Sequence, residues 1–147
     1  MRSLPADPGP LIVSCDGAAR GNPGPAGIGV VIENASHEVL ATIAEGLGET
    51  TNNVAEYTAA LEGLRRAADL GATEVLLRSD SKLLIEQLSG RYKVKAKHLQ
   101  SLHRDVIGQA RRFAKIRFEH VPRERNREAD RLANDGVDAW LRSGGLG

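Results

Sequence analysis

Four acidic residues stand where they could act together on a metal ion. Asp16 ends an apolar run and Asp80 follows another, whereas Glu56 and Asp130 fall in the first turns of predicted helices. For any one acid alone, a capping role or an exposed position is the more common outcome. Asp130 adjoins an apolar stripe, which argues against simple solvation there. The chemistry open to these acids depends on whether the fold brings them together.

Carboxylates that converge repel one another, and their pKa values rise unless a cation lies among them. Magnesium is a suitable cation because it prefers oxygen ligands and keeps several of its waters. Two such ions about 3.5–4 Å apart can activate a water and stabilise a leaving oxygen in phosphodiester cleavage. Converging acids would therefore predict a metal-dependent reaction at a phosphate.

The chain predicts an alternation of strands and helices. The expected strands are 11–15, 27–33, 38–45, 74–78 and 115–121, and the expected helices are 53–71, 82–88, 99–113 and one from about residue 126. β-branched residues and turn formers mark the first three strands as an antiparallel meander. The order β-β-β-α-β-α-α-β-α implies an α/β fold with a mixed sheet, in which helical crossovers join the later strands.

This topology predicts where the acids lie. If the first strand points up, the meander returns the third strand upward, so the next helix begins at the top with Glu56. That helix descends, and the following strand rises to end at Asp80, level with Asp16. Asp130 joins them if the last strand is parallel to its neighbour, a direction that spacing alone leaves open. The acids would then meet at one edge of the sheet, where open α/β sheets usually place their sites.

The composition is that of one domain, with 147 residues and a formal net charge of +1. The charge is unevenly distributed. Residues 1–80 carry five basic and eleven acidic side chains, and residues 81–147 carry fifteen and eight. An acidic half folded against a basic half can place an acid-lined site beside a basic surface.

Simple features exclude several other classes of protein. A single cysteine, Cys15, cannot form an internal disulfide or a cysteine metal cage, which favours a reducing cytoplasm. No apolar stretch approaches the ~20 residues of a membrane span, and the amino terminus lacks the apolar core of a signal peptide. We expect a polar leader at 1–9, a single domain at 10–142, a flexible tail at 143–147, and a monomer without a membrane partner.

Four motifs, in order along the chain, carry a resemblance to a known family. They are Ser14-Cys15-Asp16-Gly17-Ala18-Ala19-Arg20-Gly21-Asn22-Pro23-Gly24-Pro25, Thr50-Thr51-Asn52-Asn53-Val54-Ala55-Glu56, Ser79-Asp80-Ser81 and Arg127-Glu128-Ala129-Asp130-Arg131-Leu132-Ala133. Together they resemble the successive motifs of ribonuclease H type 1 over about residues 11–140. The resemblance implies a ribonuclease H-like fold, a five-stranded mixed sheet of an antiparallel meander plus parallel strands flanked by helices. It also implies that the last strand is parallel.

The resemblance implies an activity as well: hydrolysis of the RNA strand of an RNA/DNA hybrid, giving 5′-phosphate and 3′-hydroxyl ends. The family's metal-binding carboxylates match Asp16, Glu56, Asp80 and Asp130. Two Mg²⁺ ions are the expected cofactors, with Mn²⁺ as a substitute. By this resemblance Asp16 lies between the ions, and Asp130 lies on the side of the attacking water. Glu56 and Asp80 lie on the side that also meets the RNA.

Polar residues that match hybrid-contacting positions of the family are Asn22, Thr51, Asn52 and Asn53. The resemblance assigns them to minor-groove groups that include the 2′-hydroxyl, which is what distinguishes RNA from DNA. The Thr-Thr-Asn-Asn run is equally an ordinary helix cap, and both roles can hold at once.

The sequence departs from the family pattern around the site. The loop before the last helix lacks the histidine that many relatives carry, and Arg123 is the candidate substitute, with phosphate contact or solvation as alternatives. His120 continues the face of Ile116 and Phe118, so packing is at least as good an explanation for it as catalysis. Lys82 stands where many relatives have glutamine and is a candidate substrate contact.

A short basic segment replaces the Trp- and Lys-rich protrusion of some relatives. Its cations are Arg91, Lys93, Lys95 and Lys97. They are candidate contacts to DNA phosphates, with a solvated charge run as the equal alternative. The reduced protrusion leaves double-stranded RNA open as a further partner.

Two other functions stay open at this point. One is a nuclease of the same fold that cuts double-stranded RNA or DNA, and the other is a hybrid-binding module without catalysis. The complete set of carboxylates argues against the second, because a pure binder gains nothing from clustered negative charge facing phosphates.

Overall fold

The computed structural model describes residues 7–145. Residues 1–6 of the expected leader and 146–147 of the expected tail lie outside the described residues. Within 7–145, no helix is both long enough and apolar enough to cross a membrane.

The described chain forms five strands and four helices in the predicted order. The strands are β1 Leu11–Ala19, β2 Gly24–Glu33, β3 Val39–Thr50, β4 Glu74–Ser79 and β5 Lys115–His120, and the helices are α1 Asn52–Asp69, α2 Lys82–Leu88, α3 Lys97–Ala110 and α4 Arg127–Arg142. One sheet holds the strands in the order β3-β2-β1-β4-β5. The first three strands are antiparallel, and β4 is parallel to both β1 and β5. The predicted α/β class with a mixed five-stranded sheet is confirmed, and β5 has the parallel direction.

Some boundaries differ from the predicted ones. β1 runs past its expected end at residue 15 to Ala19, because the backbone of 16–19 pairs with β2 whatever the side chains are. Phe113 is buried but lies beyond the end of α3, in the turn that leads to β5. The expected loop before α4 contains a 3₁₀ turn at Arg123–Arg125.

Helices α1 and α4 cover opposite faces of the sheet. In β2, Val30 faces α1, where it lies beside Gly63. The alternate positions Gly27 and Gly29 face α4, because successive residues of a strand point to opposite sides. Helix α3 packs against α1. Both faces of the central strands are therefore covered, and the helices α1 and α4 begin at the carboxyl edge of the parallel strands.

Two glycines let α4 lie directly against the sheet. A Cβ atom on Gly29 would stand 1.9 Å from the carbonyl oxygen of Ala129, and one on Gly27 would stand 2.4 Å from that of Ala133. Helix backbone in a close-packed interior cannot yield unless the whole helix moves. These glycines therefore set the distance between β2 and α4, and with it the place of Asp130.

We predict that Gly29→Ala lowers the free energy of unfolding by about 1–3 kcal/mol or more, because the added methyl group overpacks the contact between β2 and α4. Gly108→Ala is the matched control: a Cβ there meets no atom within 4 Å, and alanine is the better helix former by about 1 kcal/mol. Urea denaturation of both variants measures the difference. Equal stability of the two variants would mean that α4 does not require glycine at position 29.

Candidate active site

Three carboxylates converge at the carboxyl edge of the parallel strands. Oxygens of Asp16, Glu56 and Asp80 lie within 4.8 Å of one another, and we name these residues the acidic triad. Asp130 lines the same cleft, of about 510 Å³, but does not belong to this closest group. The expected meeting of four acids is therefore a triad with Asp130 beside it.

A glycine brings α1 close to β1 at the triad. The backbone N–H of Gly17 donates a hydrogen bond to Glu56 Oε2 at 3.2 Å. A Cβ on Gly17 would stand 2.3 Å from backbone atoms of Ala55 and Glu56, so no other residue fits there without displacing α1. Thr51 caps the helix by accepting a hydrogen bond from Val54 N, as its sequence context predicts.

Asp80 follows β4 in a short turn that starts α2. The buried Ser79 hydroxyl accepts a hydrogen bond from Ser81 N, and Ser81 in turn caps α2 through Leu84 N. His120 Nε2 lies 3.2 Å from the carbonyl oxygen of Asp80. This histidine is exposed at the end of β5, which does not favour the first of the two explanations left open for it, packing or catalysis.

Asp130 is placed by contacts of α4 with β1 and by its own helix. Asn126 is 2% exposed, and its Nδ2 donates a hydrogen bond to the carbonyl oxygen of Cys15 at 3.0 Å. This bond ties the start of α4 to the strand that carries Asp16. One turn beyond Asp130, Asn134 Nδ2 donates to the Asp130 carbonyl oxygen at 3.0 Å and lies 3.5 Å from Oδ1.

Arg20 and Asn134 also line the cleft, although neither is among the site residues predicted from the sequence. Asn134 follows Asp130 by one helical turn, a spacing that indicates contact. Arg20 lies in the turn between β1 and β2 and reaches Asn134 and Asp138 on α4, and no sequence spacing indicates this pairing.

Burial and mutual repulsion act strongly on the triad. Burial raises the pKa of Asp16 to about 9, helped by the charges of Glu56 and Asp80 and by a hydrogen bond with Asp130. Burial likewise raises the pKa of Glu56 to about 8, although its hydrogen bond from Gly17 lowers it in part. The expected upward shift is thus present at these two residues, with loss of solvent as its largest cause.

This donor set fits a hard divalent cation. The triad offers oxygen ligands only, and a cation among them would offset the repulsion that raises their pKa values. The adjacent Cys15 is not a competing ligand, because burial raises the pKa of its thiol and its Sγ faces the carbonyl oxygen of Arg78 at 3.5 Å. Oxygen donors without thiolate favour Mg²⁺ or Mn²⁺ over zinc.

The four candidate RNA contacts lie near the start of α1 but are divided between two surfaces. Asn52 lines the acidic cleft, and its backbone N–H donates to Asn22 Oδ1 at 3.1 Å. Asn53 lines a neighbouring groove instead. The hydroxyl of Thr51 is occupied by the helix cap.

The basic segment forms one wall of that second groove, of about 560 Å³. Among its lining residues are Asn53, Arg91, Tyr92, Lys93 and Lys95. The segment is held in place by amide groups, because Gln87 Nε2 donates to the Lys93 carbonyl and Gln100 Nε2 to the Val94 carbonyl. We name this surface the basic groove.

Of the remaining candidates, one lines the acidic cleft and two do not. Arg123 lines the acidic cleft together with Asp130, from the 3₁₀ turn before α4. Lys82 and Lys97 are exposed at the first residues of α2 and α3, and in the described part of the chain neither lines the acidic cleft or the basic groove.

Comparisons with known proteins agree with this geometry. The chain matches the family described as "Reverse transcriptase-like" over residues 14–136, a range that contains all four acids. It is 49% identical over 134 residues to the bifunctional protein Rv2228c of Mycobacterium tuberculosis. That match covers 90% of this chain and 37% of the relative, so the chain spans little more than a third of that protein.

Two solved structures have the same fold at substantial identity. RNase H1 of the halophilic archaeon Halobacterium salinarum is 37% identical with a TM-score of 0.87, covering 89% of this chain and 99% of that one. LC11-RNase H1, isolated from compost, was solved in complex with an RNA/DNA hybrid. It is 40% identical with a TM-score of 0.85, and the match covers 89% of this chain and 99% of that one.

The raised pKa values predict how stability depends on pH without metal. The pKa values of Asp16 and Glu56 in the folded protein, about 9 and about 8, exceed their ordinary values of 3.8 and 4.5. The folded state therefore binds more protons than the unfolded state in this window, and stability falls as pH rises toward 9. In chelator, we expect the melting temperature to drop by about 5 °C or more between about pH 6 and pH 8.

Asp16→Asn is the control for this prediction, because an amide cannot ionise and should flatten the dependence. Differential scanning calorimetry of both proteins at matched ionic strength gives the measurement. A melting temperature of the parent that is constant or rises over this range would contradict the assigned burial of charge.

Proposed function

The chain belongs to the ribonuclease H type 1 family, and on that premise we propose that it hydrolyses the RNA strand of RNA/DNA hybrids. The observation that carries the proposal is the acidic triad, whose oxygens lie within 4.8 Å of one another in an open cleft. The similarity to LC11-RNase H1, solved with such a hybrid, supports the substrate class. We expect cleavage to leave 5′-phosphate and 3′-hydroxyl ends.

Two divalent ions, Mg²⁺ or Mn²⁺, would be held by Asp16, Glu56, Asp80 and Asp130. When bound, such ions make a water nucleophilic and stabilise charge on the leaving oxygen of a phosphodiester. The contribution of the protein is to fix the oxygens beforehand. Asp16 is fixed by its place within β1, and Glu56 by the hydrogen bond from Gly17 N.

Asp130 has a different setting from the triad. It is half-buried on the wall of the cleft, where solvent reaches it, and Asn134 contacts its carboxylate. We assign it to the side of the attacking water, where a carboxylate oxygen can accept a proton.

Recognition of RNA is assigned to amide side chains beside the triad. Asn52 lines the cleft, and the Asn22 side chain is bonded to its backbone. An amide offers both donors and an acceptor, which suits a 2′-hydroxyl that can donate and accept. Thr51 contributes through the cap that holds the start of α1.

The DNA strand is assigned to the basic groove. Lys93 and Lys95 bring positive charge to the groove, Tyr92 offers a ring, and Asn53 lies at the border with the RNA contacts. Contacts to phosphates make binding salt-dependent and insensitive to sequence. The carbonyls anchored by Gln87 and Gln100 favour an ordered binding surface over a solvated charge run.

A binding module without catalysis is the weaker alternative. Burying Asp16 and Glu56 disfavours their charged forms, and a module that only bound nucleic acid would gain stability by replacing them. The other alternative is a nuclease of the same fold that prefers double-stranded RNA or DNA. Comparing the cleavage of these substrates with that of the hybrid distinguishes the two functions.

We predict that the parent protein cleaves the RNA strand of a labelled hybrid in Mg²⁺ or Mn²⁺ and stops when chelator is added. Asp80→Asn should lower the cleavage rate by at least about a hundredfold, since even loss of a residue that supports a ligand can cost that much. Gel analysis of hybrid, double-stranded RNA and double-stranded DNA under the same conditions measures rate and preference.

The matched control is Asp105→Asn, which makes the same chemical change on the exposed face of α3 and should cut like the parent. A hybrid that stays uncleaved in Mg²⁺ and also in Mn²⁺ would contradict the catalytic proposal. Faster cleavage of double-stranded RNA or DNA than of the hybrid would make that nucleic acid the preferred substrate.

A second prediction concerns the loop that lacks histidine. Arg123→Ala should lower kcat by about tenfold with little change in KM, because Arg123 lines the acidic cleft beside Asp130 and would act on phosphate during turnover. Arg125→Ala is the control, since Arg125 lies in the same 3₁₀ turn but outside that cleft. An unchanged rate at saturating hybrid would exclude Arg123 from the site.

A further inference from the structure

Arg20 connects the turn after β1 to two successive turns of α4. Its Nη1 donates to Asp138 Oδ1 at 2.7 Å, and its Nη2 lies 3.3 Å from Asn134 Oδ1 and 3.4 Å from the Asn134 carbonyl oxygen. The backbone of Arg20 is itself fixed, because its N–H donates to the Pro25 carbonyl oxygen at 2.8 Å. We name Arg20, Asn134 and Asp138 the Arg20 network.

The network ends at a carboxylate of the site. Asn134 Nδ2, on the far side of the amide from Arg20, faces Asp130 Oδ1 at 3.5 Å and the Asp130 carbonyl oxygen at 3.0 Å. Arg20 and Asn134 both line the acidic cleft. A contact of the β1–β2 turn is thus transmitted to Asp130 through one amide group.

We propose that Arg20 is a positioning residue for Asp130 and acts through the amide of Asn134. The proposal rests on the proposed function in one respect, namely that Asp130 helps to hold a divalent ion. By this proposal the Arg20 network orients Asp130, the carboxylate that lies outside the acidic triad.

The chemistry of the two side chains explains the direction of this effect. A guanidinium has donors only and stays charged, so of the two polar atoms of the Asn134 side-chain amide it can bond only the oxygen. That choice turns the NH₂ group toward Asp130. Without Arg20 the amide can rotate and present its oxygen, which repels a carboxylate, or turn to solvent. Asp138 keeps the guanidinium in place.

The network adds little to global stability. The side chains of Arg20 and Asp138 are 41% and 46% exposed, and solvent screens an exposed ion pair so that it contributes little to folding stability. Its value is therefore in orientation, which metal binding measures more sensitively than unfolding does. Partners that orient metal ligands typically change affinity or activity by 10- to 100-fold.

The test uses Arg20→Ala, Asn134→Ala and the double variant. Mn²⁺ binding without nucleic acid is measured by calorimetry, and the Mn²⁺ concentration for half-maximal hybrid cleavage is measured separately. Each single variant should weaken the affected Mn²⁺ site by roughly tenfold. The double variant should bind Mn²⁺ with the same affinity as Asn134→Ala, because Arg20 acts only through that amide.

Arg131→Ala is the matched control. Arg131 also lies on α4 and pairs with Glu128 and Asp135, but it does not line the acidic cleft, so its loss should leave Mn²⁺ binding unchanged. Parent-like Mn²⁺ binding in Arg20→Ala would overturn the proposal. A rise in KM for the hybrid at unchanged Mn²⁺ dependence would also overturn it, by making Arg20 a direct phosphate contact. Since calorimetry needs no cleavage, failure of the proposed nuclease activity is detected independently.

Discussion

The burial of Asp16 beside Glu56 is the constraint around which the rest of this molecule is built. Loss of solvent and mutual repulsion disfavour both charged forms and raise the two pKa values to about 9 and about 8. Two carboxylates stay this close only where the surrounding backbone fixes their positions. Asp16 is held within a strand and Glu56 on a capped helix. The backbone N–H of Gly17, the residue after Asp16, donates a hydrogen bond to Glu56. A cation in their midst converts this cost into affinity.

On both faces of the sheet, a glycine lets a helix backbone approach a strand closely beside the cleft. Gly17 allows the backbone of α1 to reach β1 on one side. On the other side, Asp16 is the cross-strand partner of Gly29, and Gly29 is where the backbone of α4 touches the sheet at Ala129. Asp130 follows that contact directly, so the packing of α4 on β2 determines how far Asp130 lies from Asp16.

Much of this arrangement could be predicted from sequence, because element order and the ends of strands carry it. Asp80 follows a strand and Glu56 lies near the start of a helix, and both features are local. The end of β1 could not be predicted, because the pairing of 16–19 with β2 depends on backbone hydrogen bonds and not on side-chain pattern. His120 lies on the strand face that the alternation predicts, but the edge position of β5 leaves it exposed beside Asp80. Arg20 and Asp138 are brought together only by tertiary structure.

The charges of the folded chain separate into two groups with different roles. Arg20 and Arg91 are paired with Asp138 and Glu86 and serve to fix local structure. Within residues 7–145, Lys93, Lys95 and Arg123 have no carboxylate within ion-pair distance, and they flank the cleft and the basic groove. A polyanion approaching a site lined by acids needs such cations around it, because they supply the attraction that the acids oppose. The net charge of +1 therefore conceals a local separation of charge, between an acidic cleft that suits metal ions and a basic border that suits phosphates.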